Sequence, residues 1–119
     1  MPPKPEHAYQ KSVKERLTSQ GCLVFKIVEK FRSGFPDLIV IRPDVYRRVP
    51  FNGGVSFVEL KVAPNTPSGL QLLTLNAIAQ KGGRAYVLTK QKDGTEKLEV
   101  VKDCVLQPAS LEAIYKGGL

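Results

Sequence analysis

A chain of 119 residues with 42% hydrophobic and 24% charged residues has the composition of one globular domain. Eighteen Lys+Arg against 11 Asp+Glu leave a net charge of +7, with a pI near 9.6. That surplus favours a polyanionic partner, nucleic acid before an anionic membrane. No apolar run approaches the ~20 residues that span a bilayer, and the polar, proline-rich Met1 to Gln10 is unlike a signal peptide. The expectation is a single cytoplasmic domain over residues 1–119. Cys22 and Cys104 are far apart in apolar contexts and read as buried, reduced thiols. With His7 the only histidine, a structural zinc site lacks ligands.

Along the chain, three prolines in residues 1–5 make a loose lead-in. Tyr9, Val13 and Leu17 recur every fourth position, which predicts a helix from about Pro5 to Gln20, stopped by Gly21. Glu6 and Gln10 lie within about 40° of each other on that apolar stripe, whereas Glu15, Lys11, Lys14 and Arg16 point away from it. Cys22 to Val28 reads as a first strand. Gly34 and Pro36 tighten a turn ahead of a second, from about Asp37 to Arg42. That strand is apolar on both faces and suits a sheet covered on both sides. A loop from Pro43 to Gly54 carries Arg47 and Arg48 and ends in the turn signal Asn52-Gly53-Gly54.

A third strand spans about Val55 to Val62. Turn chemistry from Pro64 to Gly69 leads into a second helix, about Ser68 to Lys81, with Leu70, Leu73, Ala77 and Ile78 as its expected buried stripe. Ala85 to Leu88 is a fourth strand. Asp93-Gly94 signals a hairpin to a fifth at Lys97 to Val101, and Ser110 to Tyr115 fits a short helix. The order α-β-β-β-α-β, with a hairpin and helix appended, implies an α/β layer fold in which a central mixed sheet is flanked by helices.

The chemistry concentrates between Gly34 and Lys61. Glu59 and Lys61 alternate with Leu60, so they share one face of their strand. If strands two and three are neighbours, Asp37 and Glu59 converge within reach of one cation. Two carboxylates with water and a phosphate oxygen suit Mg²⁺ or Mn²⁺. A lysine beside them can orient an attacking water or stabilise a pentavalent phosphorus. Each signal is weak alone, since Glu-x-Lys pairs and strand-capping aspartates are common. Glu6 by itself reads as an acid favoured at a helix N-terminus.

Gly34-Phe35-Pro36-Asp37, then Glu59-Leu60-Lys61, then Gln71 eleven residues before Gly82-Gly83 and Tyr86-Val87-Leu88, resembles the VRR-NUC family of PD-(D/E)XK nucleases. The resemblance covers roughly Glu6 to Leu88. It is closer to the stand-alone form found in phages than to the nuclease end of the large Fanconi-associated enzyme. It implies a restriction-endonuclease-like core and an Mg²⁺- or Mn²⁺-dependent DNA endonuclease. The metal acids fall on Asp37 and Glu59, the catalytic lysine on Lys61, and a further metal ligand on the backbone carbonyl of Leu60. Gln71 takes a supporting role. The family's first-helix acid, with Gln four residues on, matches Glu6 and Gln10, and Glu6 becomes a further metal ligand.

Lys26, Lys30 and Arg32 lead into the Gly-x-Pro-Asp turn and, with Gln10, are expected to meet DNA. Phosphate contacts of this kind give little sequence choice. Similarity to Holliday junction resolvases implies a branched substrate and a homodimer, because one such site cuts one strand. The C-terminal apolar residues Val105, Leu106, Leu111, Ile114 and Tyr115 would either form the interface or cap the core. The competing readings are a non-catalytic nucleic-acid-binding module on the same fold, and a restriction-like or single-strand nuclease.

Overall fold

The computed structural model describes residues 5–27, 34–42 and 54–114. Helix α1 (Pro5–Ser19) opens on a proline, whose fixed φ suits a first helical position, and carries Glu6 in its first turn. It closes where Gly21 takes φ 93°, with the N–H of Cys22 bonded to the carbonyl of Leu17 at 3.0 Å. This left-handed cap costs glycine nothing and satisfies carbonyls the helix leaves open. Strands β1 (Leu23–Lys26), β2 (Leu38–Ile41) and β3 (Val55–Val62) follow as antiparallel neighbours.

Helix α2 (Gly69–Gln80) returns the chain so that β4 (Arg84–Lys90) runs parallel to β3. Such a connection needs a crossover long enough to hold a helix. Strands β5 (Glu96–Lys102) and β6 (Val105–Ala109) extend the sheet antiparallel, giving the order β1-β2-β3-β4-β5-β6. A 3₁₀ turn (Leu111–Ile114) ends the described chain.

The alternation of side chains along each strand makes two cores. Val58, Leu60, Tyr86, Leu88 and Leu98 face α1 and pack on Tyr9, Val13 and Leu17. On the opposite face, Ala85, Val87 and Val101 pack on Leu75 of α2. The mixed sheet flanked by helices is the restriction-endonuclease-like architecture expected of this sequence. Among the described residues no helix is long and apolar enough to cross a membrane.

Several expectations need correction. On α2 the buried residues are Leu75 and Asn76, while Leu70 and Leu73 are 46% and 64% exposed and Ala77 is exposed too. The helix is apolar nearly all round, so periodicity offers more than one stripe, and packing on β4 and β5 chooses between them. Cys104 is exposed; only Cys22 is buried, and there burial pushes the thiol upward. Cys104 and Asp103 take φ 62° and 53° in the two-residue turn between β5 and β6. A turn of this hand favours Asn-Gly or Asp-Gly, and without that signature the β5–β6 hairpin escaped the sequence reading. Asn76 helps to hold it, its side-chain oxygen accepting the Cys104 N–H at 2.8 Å. The C-terminal helix shortens to one 3₁₀ turn. Val28, residues 29–33, 43–53 and Tyr115 lie outside the described residues.

One polar cluster fastens α1 to the sheet. Arg16 gives two hydrogen bonds to the Glu96 carboxylate, at 2.5 and 2.7 Å, and the Tyr9 hydroxyl gives a third at 2.5 Å. Arg16 first, and the Tyr9 hydroxyl after it, hold the Glu96 carboxyl below its usual range against the opposing effect of burial. Burial and the neighbouring carboxylate push the Tyr9 phenol upward. A group with a depressed folded pKa stabilises the fold above its unfolded value and loses that contribution as pH falls through the folded one. Glu96→Gln should therefore lower unfolding free energy by about 1–2 kcal/mol at pH 7. In urea titrations the gap to the wild type should narrow as pH falls below 4.5, the ordinary value for this side chain.

Candidate active site

The β2–β3 register runs from Ile41↔Val55 to Leu38↔Val58. One further step sets Asp37 against Glu59, and a second sets Pro36 against Leu60. Proline has no N–H, so it cannot give the Leu60 carbonyl a ladder bond. The ladder stops there. The Leu60 N–H is taken up by the Asp37 carboxylate, Oδ2 accepting it at 2.9 Å. Within a strand the N–H and C=O of one residue point to the same edge. The Leu60 carbonyl is therefore turned toward the gap in which the Asp37 side chain sits. The Asp37 backbone is pinned from the other side, its carbonyl accepting the Ile27 N–H at 2.8 Å.

Val58 and Leu60 enter the α1 core, so Glu59 and Lys61 project on the α2 face of β3. Glu59 is 2% exposed and Asp37 8%, so both carboxylates are held at depth, while Lys61 is half-buried. Two carboxylates set against each other at the ladder end repel unless a cation, a shared proton or a neighbouring donor offsets their charge. With the Leu60 carbonyl they make an oxygen-only donor set, which fits Mg²⁺ or Mn²⁺ and offers zinc no nitrogen or sulfur. Among the described residues no group of three or more His, Cys, Asp or Glu gathers. A cation here would draw its other ligands from backbone, water or substrate.

The turn before Asp37 leans on α2. Gly34 takes φ 87°, and a Cβ there would stand 3.0 Å from both the carbonyl oxygen and the side chain of Leu70. Pro36 is fully buried. Gln71, one residue after Leu70, closes a capping box: its Oε1 accepts the Ser68 N–H at 2.9 Å while the Ser68 hydroxyl accepts the Gln71 N–H at 3.1 Å. Its side chain therefore has a structural task at the helix start.

Glu6 and Gln10 lie on α1, against the other sheet face. Glu6 Oε1 accepts from the Asn65 side-chain amide at 3.5 Å, just beyond the end of β3. Gln10 is buried, and its Oε1 finds no donor among the described residues. Lys26 is exposed and pairs with Leu38, one residue from Asp37. Lys30 and Arg32 lie outside the described residues. The sequence reading missed Asn65, which bonds Glu6, and the part Pro36 plays in ending the ladder. A proline directly before a strand was the available signal for the second.

Helices on both faces of a mixed sheet, with an Asp and a Glu-x-Lys across the end of one ladder, define the restriction-endonuclease-like class. A solved structure described as a VRR_NUC domain superposes with a TM-score of 0.53 at 34% identity, over 69% of this chain and 81% of that one. The chain belongs to the VRR-NUC domain family. A second solved structure, Hjc, a Holliday junction resolvase from the archaeal hyperthermophile Archaeoglobus fulgidus, shares the fold. It has a TM-score of 0.56 at 17% identity, over 82% of this chain and 74% of that chain. No family model and no curated protein sequence matches the chain.

The Gly34–Leu70 contact leaves no room for a side chain in a left-handed turn. Gly34→Ala should cost about 2 kcal/mol of stability, read from urea midpoints, because a non-glycine residue is strained at this φ and backbone lies against the added methyl.

Proposed function

We propose that this domain is a metal-dependent, structure-selective DNA endonuclease that hydrolyses phosphodiester bonds at branched DNA such as Holliday junctions. The observation that carries the reading is the pairing of buried Asp37 and Glu59 across the broken end of the β2–β3 ladder. Lys61 stands two residues on, along the same strand face. A pure binder of DNA gains nothing from buried acids facing a polyanion. The family membership and the resolvase fold neighbour support the same class, and the net charge of +7 suits the substrate.

Asp37, Glu59 and the Leu60 carbonyl would hold Mg²⁺ or Mn²⁺, which when bound polarises the scissile phosphate and acidifies a coordinated water. Lys61 orients the attacking water and offsets charge on the phosphoryl oxygens as they become more negative. Gln71, with its oxygen fixed on the Ser68 N–H, has its amide nitrogen to offer a phosphate oxygen. Glu6, on α1 against the other sheet face and accepting from Asn65, would serve as a further metal ligand only by reaching past the end of β3, and Gln10 would support it from the same helix. Lys26, Lys30 and Arg32 carry the strand past the site as phosphate contacts without base choice. One such site makes one nick, so symmetrical cleavage of a junction requires a homodimer. The setting is the cytoplasm, that of a host if the chain is phage-encoded.

The test is cleavage of labelled four-way junction, flap, duplex and single-stranded DNA with Mg²⁺, Mn²⁺ or EDTA. Junction should be cut in preference to linear duplex, and EDTA should stop the reaction. Lys61→Ala should lower the rate at least ~100-fold, the scale lost with one transition-state donor, with junction binding kept. Cleavage that persists in EDTA, or indifference to Lys61→Ala, would overturn the mechanism. Equal cutting of duplex and junction would remove the structure selectivity.

A further inference from the structure

Strands β3 and β4 run parallel, so the turn that follows β4 projects from the same end of the sheet as Lys61. The register Lys61↔Thr89↔Lys97 sets Lys97 two strands away from Lys61. Residues opposite one another in a ladder share a sheet face, so Lys97 stands on the α2 face with Glu59 and Lys61. At a strand spacing of about 4.8 Å, Lys61 and Lys97 are roughly 10 Å apart across the sheet. Thr89 is buried between them. Lys90, Lys92 and Lys97, on and beside the turn, are all exposed.

The hairpin is closed by its own hydrogen bonds, and its acids are engaged in the fold. The Gln91 N–H is given to the Thr95 carbonyl at 2.7 Å, and the Gly94 N–H to the Gln91 carbonyl at 3.0 Å. Asp93 Oδ1 accepts both the Thr95 N–H at 2.9 Å and the Thr95 hydroxyl at 2.6 Å. Glu96 is held by Tyr9 and Arg16 of α1. Glu99, two residues past Lys97 on the same face, lies 3.5 Å from the Lys97 ammonium. The lysine side chain is 51% exposed and the carboxylate 18%, so Lys97 stands outside Glu99 and masks it. A pair this open to water is weak and can be exchanged for phosphate. Lys90 and Lys92 make no ion pair among the described residues.

We propose that the β4–β5 hairpin is a phosphate clamp, in which Lys97 and Lys92 hold the backbone of the DNA strand that passes Lys61. The proposal rests on the nuclease reading above, which puts the bond to be cut beside Lys61. One strand of a B-form duplex carries a phosphate about every 3.4 Å of helix axis, so a span of roughly 10 Å reaches about three nucleotides from that bond. Lys92 extends the track, three residues or roughly 10 Å beyond the level of Thr89. A lysine ammonium meets phosphate as a point charge without base choice, which suits an enzyme that selects DNA by its branching. An anionic membrane fits less well. Surface binding to lipid needs apolar side chains beside the charges, and residues 90–97 carry none.

Fluorescence anisotropy of a labelled four-way junction in EDTA, across about 50 to 200 mM salt, reads these contacts without cleavage. Lys92→Ala and Lys97→Ala should each lower the slope of log affinity against log salt by about 1. Lys92→Arg and Lys97→Arg should keep the wild-type slope, which separates the charge from any structural part the side chains play. Lys102→Ala removes the same charge from an exposed position at the opposite end of β5 and should leave the slope unchanged. All three lysines are exposed, so the fold should tolerate each substitution. Unchanged slopes in Lys92→Ala and Lys97→Ala, an equal loss in Lys102→Ala, or a wild type that binds vesicles of anionic lipid in preference to the junction would overturn the proposal. Slopes that fall as expected in a protein that cuts no DNA with Mg²⁺ or Mn²⁺ would leave the clamp standing and remove the nuclease reading.

Discussion

The hydrogen bond from the Leu60 N–H to the Asp37 carboxylate, 2.9 Å long, is the constraint on which the site depends. It exists because Pro36 sits where the next ladder partner would be. A proline in a paired strand position removes a donor and stops the pairing. Here the stop falls one residue before the first acid and opposite the residue between the second acid and the lysine. The side chain of Asp37 thereby substitutes for a main-chain acceptor, and the fold itself fixes its rotamer. The same bond turns the Leu60 carbonyl into the gap. Local backbone chemistry and the proposed donor set are thus one arrangement.

The rest of the structure keeps that ladder end in place. Gly34 lets the turn press against the first residues of α2, whose start is held by the Ser68–Gln71 capping box. Glu96 gathers Tyr9 and Arg16 and so fixes α1 over the opposite face, carrying Glu6 and Gln10 with it. Both helices are tied to the sheet through residues outside the acidic pair. The proposed site needs its groups preorganised, since a small misplacement of reacting groups costs rate steeply.

Much of this was legible in the sequence because it rests on period and punctuation. Tyr9, Val13 and Leu17 announced α1. Glu59 and Lys61 on one strand face followed from alternation, and the neighbouring of β2 and β3 from their order. What escaped was decided by packing. On α2 apolar residues fall on every side of the helix, so Leu70 and Leu73 look as buried as Leu75 until β4 and β5 choose a side. The Asp103–Cys104 turn lacks the residues that usually mark such a hairpin, and β6 went unseen with it. The Asn65–Glu6 hydrogen bond joins residues 59 apart in the chain, and no local pattern encodes such a meeting.

The central claim is that Asp37 and Glu59 hold one divalent cation between them at the broken ladder end. A titration of Mn²⁺ into the protein, followed by electron paramagnetic resonance, reads this without relying on cleavage. The wild type should bind one Mn²⁺ per chain at this site, and Asp37→Asn and Glu59→Gln should each weaken it at least tenfold while the far-ultraviolet circular dichroism stays the same. Folded Asp37→Asn and Glu59→Gln proteins that bind Mn²⁺ as tightly as the wild type would contradict the account.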